Sequence, residues 1–577
     1  MATRKMTYPP EGLNVTDFVK RPSLGREGRE IRVRANFFEI TSLPEANIHH
    51  YDVTITPQVP PLLNRKVYQV FEKSNCNNKA VFDGRKNIFT CERLSFEDSA
   101  TFDITLPEDD GSTSTRRQPR VFKVKIKKVN EINMEELQRF LDGKAQCSSN
   151  VLTAIMALDV LIRHKPSMQY VTVSRSFYTR EGSRNLSGGV EAWQGYYQSA
   201  RPTPGKMMIN IDLLCEVIEG QRHFRKLNEK QTADMIKFTC QQPNIRANKI
   251  KMGFDTLNYR HNEQMNKFNM EVLNEMATVR ARVLPTPTIN YHPSSKDATF
   301  IPRDGVWNLR YKKVVTGATL GSWSVLVFGS EREYSAHSVQ NFVRELVTTC
   351  SDTGMNISNK NPPILHANPQ GNVEESLKQA WIRAGNAAKS KPQLILCILP
   401  NTGQFEQVLN EEIKAVKSAC HSLDPKYSPT ITFIIVQKRH HARFFPIDKK
   451  DSDRTGNCYP GTLVETDIVH PVEFDFYLQS QAGLQGTCRP THYHVLYDEN
   501  EFTPDSLQTL SYNLCYIYAR CTRVVSLVPP VYYAHLVCSR ARFHIRGDNF
   551  SEESSTEGDE VAFGAVKPEL LKVMYFM

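Results

Sequence analysis

Residues 431–446 read ITFIIVQKRHHARFFP. The first six, ITFIIV, form a short apolar run of strand length, the pattern of a strand covered on both faces. The run passes straight into Lys438, Arg439, His440, His441 and Arg443. In an α/β sheet the carboxyl ends of strands are where ligands sit, so this order sets several cations at a site mouth. A phosphate backbone suits that geometry. The plain alternative is a solvated strand end. A metal held by His440 and His441 is weaker still, because adjacent strand side chains point to opposite faces.

Upstream of this stretch, a helix is expected over 404–422, with Phe405, Val408, Leu409, Ile413 and Val416 on one face. WSVLVF (323–328) and QLILCIL (393–399) are further apolar runs, with a helical stretch at 373–388 between them. Strand, helix, strand points to a parallel sheet with helices on its faces. Downstream, Arg489, His492, Tyr493 and His494 form a second polar cluster. The two histidines share one strand face, but no third ligand follows at a metal-binding spacing. Thr503 and Pro504 start a helix, as N-cap and first helical residue. Arg520, Arg523, Tyr532, His535, Arg540 and Arg542 then interleave aromatics with cations, a mixture that suits backbone contact and base stacking.

The amino-terminal half reads as sheet, then helix. Residues 1–27 mix Pro, Gly, Lys and Arg without periodicity and are expected to be a mobile basic leader. IRVRANFFEI, HHYDVTITP and FKVKIKKVNEI alternate apolar and polar positions as strands do. Lys123, Lys125, Lys127 and Lys128 could line a nucleic-acid channel, though a solvated outer face is the favoured reading. MEELQRFLDG and VLTAIMALDVLIRH turn helical, the second with Leu152, Ile155, Met156, Leu158 and Leu161 on one face. A Gly/Ser-rich linker (REGSRNLSGGVEAW), a strand at 207–213, a helix at 228–239 and a polar helix near 260–277 are expected next. The acidic stretch 548–560 is expected to be a loop.

With 577 residues, 40% of them apolar, the chain is too long for one core and needs several domains. Its net charge of +10 suits a polyanion but excludes nothing. No two of the 13 cysteines are spaced C-x-x-C, so neither a zinc ribbon nor a redox pair is visible. A reducing compartment is expected, the cytoplasm first, with the nucleus left open. No apolar run reaches bilayer-spanning length, and no membrane partner is expected.

ITFIIVQKRHHARFF, IVHPVEFDFYLQSQAGLQGTCRPTHYHVLYDENEF, VYYAHLVCSRARFHI and the ending MYFM together resemble the C-terminal half of an Argonaute PIWI domain. RPSLGREGREIRVRANFFEI is similar to the family's N-domain entry. LDVLIRHKPSMQYVTVSRSFY with WQGYYQSARPTPGKMMINIDL resembles linker 1. QTADMIKFT through GVWNLRYKKVVTGATLGSWSVLVF resembles linker 2, and KPQLILCILPN the middle of the MID domain. The resemblance implies an α/β multidomain protein. It would comprise the leader (1–27), a β-rich N domain (28–138), linker 1 (139–212), linker 2 (213–322), a partial Rossmann-like MID domain (323–402) and the C-terminal half of an RNase H-like PIWI domain (403–577).

Two departures stand out. In the family a PAZ domain, which holds a guide's 3' end, separates the linkers, whereas here MMINIDL runs directly into LCEVIEGQRHFRKLNEKQTADM. At 399–409 the chain passes from mid-MID to mid-PIWI, skipping the guide 5'-phosphate pocket and the catalytic carboxylates. Of the catalytic tetrad only His535 has a matching position. The resemblance places Arg520, Tyr532 and Arg540 at the guide's 5'-phosphate region and Lys438, Arg439, Arg443 and Arg489 on guide backbone. Glu473, Asp475 and Asp498 are expected to be structural.

The resemblance and its two gaps together imply an RNA-binding silencing protein that does not slice in this form and needs no cofactor, where the intact family uses Mg. Its expected partners are guide RNA and target RNA, held more weakly, and Trp-containing silencing proteins; the expected state is a monomer. Two alternatives stay open. One is a competitor form that docks family partners without guide RNA. The other is a full-length guide-directed endonuclease whose natural transcript carries both segments.

Overall fold

The structure is a computed structural model that describes residues 19–577 apart from 76–79, 97, 107–119, 187–189, 220, 223–226, 329–335, 368–372, 392, 399–429, 542–544, 547–561, 564–573 and 575–577. The helix expected over 404–422 and the acidic loop at 548–560 lie outside the described residues.

One strand organises the first unit, which comprises Met1–Pro285 and Cys420–Tyr512. Arg29–Ser42 pairs antiparallel with Lys206–Glu219 on one side and with Glu271–Val283 on the other, and also receives Phe444–Pro446. The sheet continues from Glu271–Val283 through Thr462–Val464, Asp475–Gln479 and Thr491–Asp498 to Thr432–Gln437. In the other direction it runs through Val190–Thr203 and Ser176–Leu186 to Val171–Val173. Strands far apart in sequence therefore share one hydrogen-bonded surface. Ile31, Val33, Ala35 and Phe37 are buried on one face with Val279, Phe444 and Val464, while Phe38 and Ile40 pack into a second core with Phe254 and Leu158. This in-and-out alternation along one strand is the period that its sequence carries.

A separate five-stranded antiparallel sheet, ordered Ala80–Phe82, Asn87–Thr90, Ile48–Thr56, Val121–Ile132, Ser99–Thr105, carries the helix Pro61–Asn75 through Val67, Tyr68 and Phe71. Along Val121–Ile132, Phe122, Val124 and Ile126 are buried while Lys123, Lys125 and Lys127 face outward. Asp103 stands opposite Lys123 and Asp52 opposite Lys127. Cross-strand opposite charges of this kind stabilise a solvated face.

The second unit, Thr286–Ala419 with Asn513–Met577, contains the parallel sheet read from the sequence. Trp323–Phe328 lies between Ile364–Ala367 and Leu394–Ile398, all parallel, with the helices Ala336–Asp352 and Val373–Ala388 in the same unit. Trp307 stacks on Tyr516 at 5.9 Å, and Val524 N donates to Gly305 O. Among the described residues no helix is long and apolar enough to cross a membrane.

Several sequence expectations are corrected. ITFIIV forms the strand Thr432–Gln437, but it pairs antiparallel with Thr491–Asp498 and is half-buried, not a parallel strand covered on both faces. The polar stretch near 260–277 is a short helix, Glu263–Lys267, followed by the strand Glu271–Val283. Two flanking strands outweigh the helical propensity of its Glu, Leu, Met and Ala. The expected Gly/Ser linker lies instead in two paired antiparallel strands, with Leu186 opposite Val190.

On Ser149–Gln169, Leu152 and Met156 are exposed while Val151, Ala154, Leu158 and Leu161 are buried, so the buried stripe is rotated from the expected face. Of the leader expected over 1–27, residues 1–18 lie outside the described residues, and 19–27 are bonded to the sheet. Arg21 Nη2 donates to Asp475 Oδ1 at 2.8 Å, Gly25 N to Glu465 Oε1 at 2.9 Å and Glu27 N to Asp505 Oδ1 at 2.8 Å.

Candidate nucleic-acid interface

The stretch KRHHAR leaves the strand Thr432–Gln437 and enters Phe444–Pro446. Its path is fixed by polar groups from distant strands. Asn36, fully buried, donates through Nδ2 to Ile211 O (2.7 Å) and His441 O (2.8 Å) and accepts from Arg443 N (2.6 Å). Lys438 Nζ donates to Arg489 O at 2.5 Å, and Arg489 Nη1 donates back to Lys438 O at 3.2 Å. His440 accepts from Ala442 N at Nδ1 (3.2 Å), so Nε2 carries the proton and donates to Pro490 O (2.8 Å). Burial pushes the His440 pKa down to about 3, against the opposing bond to Pro490. It is a neutral structural imidazole.

At the centre stands Asp212, on the strand Lys206–Glu219 and fully buried. Arg246 donates to Oδ1 through Nε (3.0 Å) and Nη2 (2.7 Å), Arg443 Nη2 lies 2.9 Å from Oδ2, and His441 Nδ1 stands 3.5 Å from Oδ2. Burial alone would raise this carboxyl's pKa. The guanidiniums of Arg443 and Arg246 outweigh it and hold the group well below the usual carboxylate range. The His441 ring stacks on Tyr197 at 3.7 Å, and Arg201 Nη2 donates to the Tyr197 hydroxyl at 3.2 Å. One carboxylate thus orders two arginines, a histidine and an aromatic ring; Arg439 is exposed in the same connection, and Arg489 is exposed in the loop before Thr491–Asp498. Such an array can bind phosphates through its outward cations and offer stacking faces.

The sequence-derived residues divide between the two units. Lys438, Arg439, Arg443 and Arg489 belong to the first. Of these, Arg439 and Arg489 are exposed and Lys438 is half-buried, while Arg443 is 2% exposed with its guanidinium turned onto Asp212. Arg443 is therefore a positioning group and not a surface cation. Arg520, Tyr532, His535 and Arg540 belong to the second unit. Tyr532, His535 and Arg540 share the helix Pro529–Ala541; His535 and Arg540 are exposed, and the Tyr532 ring packs tilted against Tyr518 at 5.0 Å, its hydroxyl 3.1 Å from Ser526 Oγ. Arg520 is exposed ahead of that helix.

The carboxylates near these groups are engaged. Asp475 receives Arg21 (2.8 Å) and His492 Nε2 (2.8 Å), and Glu473 lies 2.6 Å from His494 Nε2. Asp498 accepts from Thr432 Oγ1 (2.7 Å) and Phe502 N (2.8 Å). Among the described residues no group of three or more His, Cys, Asp or Glu is placed to hold a metal ion. Sequence reasoning missed Asp212, Arg246, Tyr197 and Arg201. The one available signal was an aspartate inside the apolar run MMINIDL, since a buried carboxylate requires a cationic partner.

Five family models match in chain order. They are the N-terminal domain of argonaute over 29–162, Argonaute linker 1 over 172–214, linker 2 over 245–291, the Mid domain of argonaute over 301–381 and the Piwi domain over 386–546. Argonaute 5 of Arabidopsis thaliana is 28% identical, with 99% of this chain and 86% of that protein covered. The argonaute of Schizosaccharomyces pombe is 28% identical, with 98% of each covered. These alignments run over 877 and 844 positions against a chain of 577 residues, so long internal segments of the relatives have no counterpart here. Among solved structures, Kluyveromyces polysporus Argonaute with a guide RNA aligns with a TM-score of 0.62 at 14% identity, covering 91% of this chain and 95% of that one. Drosophila Piwi aligns with a TM-score of 0.54 at 15% identity, covering 89% and 97%.

Proposed function

The chain belongs to the Argonaute family, shortened internally relative to its members, and from that premise we propose that it binds RNA in small-RNA silencing without cleaving it. The observation that carries the RNA-binding part is the Asp212-ordered cation cluster. Arg439 and Arg489 supply exposed charge, and Arg443 and Arg246 hold the surrounding backbone. Arg520, Tyr532 and Arg540 are the proposed remnant of the guide 5'-phosphate region. Because the rest of that pocket falls in the skipped segment, binding is weak and dominated by counterion release.

The absence of slicing rests on the chemistry of two-metal phosphodiester hydrolysis. That reaction needs several carboxylates to hold two cations about 4 Å apart and stabilise both attacking and leaving oxygens. His535 alone matches the family's tetrad, and Asp475, Glu473 and Asp498 are held in ion pairs and backbone bonds. No Mg site is therefore proposed. By the same reading the protein is a cytoplasmic monomer that keeps surfaces for Trp-containing silencing partners.

Filter binding of a 5'-phosphorylated single-stranded RNA across a salt series tests the proposal. Affinity that falls steadily with salt is expected. Tight binding indifferent to salt, or none at low salt, sinks it.

A further inference from the structure

A cavity of about 320 Å³ opens within the first unit among the helix Pro61–Asn75, the turn after Ala80–Phe82, the last turns of Ser149–Gln169 and the hairpin Val171–Val173/Ser176–Leu186. None of the RNA-interface residues lines it. Its wall carries Arg65, Arg85, Arg163 and Arg175 against a single carboxylate, Asp83.

Asp83 is already engaged. Oδ1 accepts from the backbone N of Arg85 (2.7 Å), Lys86 (2.9 Å) and Asn87 (3.1 Å), and Oδ2 from Asn87 Nδ2 (2.7 Å). Asp159, buried behind the wall, accepts from Arg163 Nη2 (2.7 Å) and Ala200 N (3.0 Å) and stands 3.8 Å from Arg175 Nε. Arg65 is different. Its Nε is buried and has no hydrogen-bond partner among the described residues. Its guanidinium rests on Gly84, where a Cβ would meet Nε and Nη2 at 2.9 Å.

A buried donor with no acceptor costs free energy that a matching acceptor would recover. Burial pulls the Arg65 pKa down; Asp83 opposes this, and the charges of Arg163 and Arg85 add to it. The site thus sets four guanidiniums against two carboxylates, Asp83 and Asp159, an excess of positive charge. Planar guanidiniums match the oxygens of a phosphate in pairs, which an ammonium cannot do. Phe82, Phe177, Pro61 and Pro166 supply apolar wall beside them. The volume lies at the lower end of small-molecule sites.

We propose that this cavity binds a small phosphate ester, with Arg65 and Arg85 on the phosphate oxygens, Arg163 and Arg175 adding positive field, and the apolar wall taking the organic part. The inference goes beyond RNA binding at the KRHHAR connection and shares no residue with it. A bound ester would also tie the helix Pro61–Asn75 to the hairpin that begins at Val171.

The test is isothermal titration of the full chain with uridine 5'-monophosphate, uridine and inorganic phosphate. The monophosphate is expected to bind, uridine not to bind, and inorganic phosphate to bind more weakly than the ester. Arg65→Gln is expected to weaken the monophosphate about tenfold, as loss of a charge-assisted bond implies. Arg85→Gln, at an exposed side chain that leaves the fold undisturbed, is expected to weaken it severalfold, and both variants keep wild-type affinity for RNA. Inorganic phosphate binding as tightly as the monophosphate overturns the ester. Uridine binding equally well, unchanged affinity in both variants, or no heat from monophosphate or phosphate at millimolar concentration overturns the site.

Discussion

Arg443 sets its Nη2 2.9 Å from Oδ2 of Asp212, with 3% of one side chain and none of the other exposed. The pair joins the connection after Thr432–Gln437 to the strand Lys206–Glu219, so the surface cations of that connection depend on an ion pair they do not themselves form.

Replacing one member of such a pair leaves the other buried and uncompensated. Asp212→Ala is expected to lower stability by ~3–5 kcal/mol, because Arg443 and Arg246 both lose their counter-charge. Chemical denaturation of the variant against the wild type measures this. A loss under 1 kcal/mol would mean that the cluster is solvated and not ordered by Asp212.

Acid should act in two windows. His440 has a depressed folded pKa, so the unfolded chain binds its proton first and stability falls as pH drops from about 6.5 towards 3. Asp212 is also depressed; its contribution is present above the ordinary carboxylate value near ~4 and is lost below it. Melting temperatures from pH 8 to 4 should decline in the wild type and decline less in His440→Gln, whose amide can still donate to Pro490 O. An identical pH profile in the two proteins would remove His440 as the source.

Arg439 and Arg489 are exposed, so their loss should change RNA affinity and leave stability nearly unaltered. For single-stranded RNA, each phosphate contact removed should lower the slope of log K against log salt by about 0.7. Arg439→Ala combined with Arg489→Ala should therefore flatten the slope by roughly 1.4. An unchanged slope would place the RNA elsewhere.

Arg282 ties the amino-terminal segment to the sheet. Its Nη2 donates to Glu465 Oε1 (2.6 Å) and Gln508 Oε1 (2.5 Å), its Nη1 to Asp505 Oδ1 (3.1 Å) and to Glu27 O. Arg282→Met should cost ~3–5 kcal/mol, and Arg282→Met with Glu465→Leu less than the two single losses together. Limited proteolysis offers a second readout, since the single variant should expose residues 19–27 to cleavage. Additive single losses, or a leader that stays protected, would contradict the coupling.

Much of the architecture was legible locally. Val121–Ile132 declared its buried face through Phe122, Val124 and Ile126, and Asn228 and Gln231 form the capping box that starts Glu229–Thr239. The apolar runs WSVLVF and QLILCIL pointed correctly to parallel strands. ITFIIV did not, because a short apolar run reads the same in a parallel and an antiparallel sheet. A rule for parallel sheets marks its cations, yet a different cause draws them together: the antiparallel pairing with Thr491–Asp498 brings Arg489 to Lys438.

The family, the order of its segments and the period of each strong element are properties of the amino-acid order, because they depend on neighbours a few positions apart. Which cation faces solvent is not such a property. Arg443 and Arg439 look alike in sequence; one is sealed against Asp212 and the other is exposed, because Asn36 and Asp212 reach Arg443 from strands remote in the chain. Burial and counter-charge are set by long-range pairing, so the tertiary structure alone decided the roles of individual arginines.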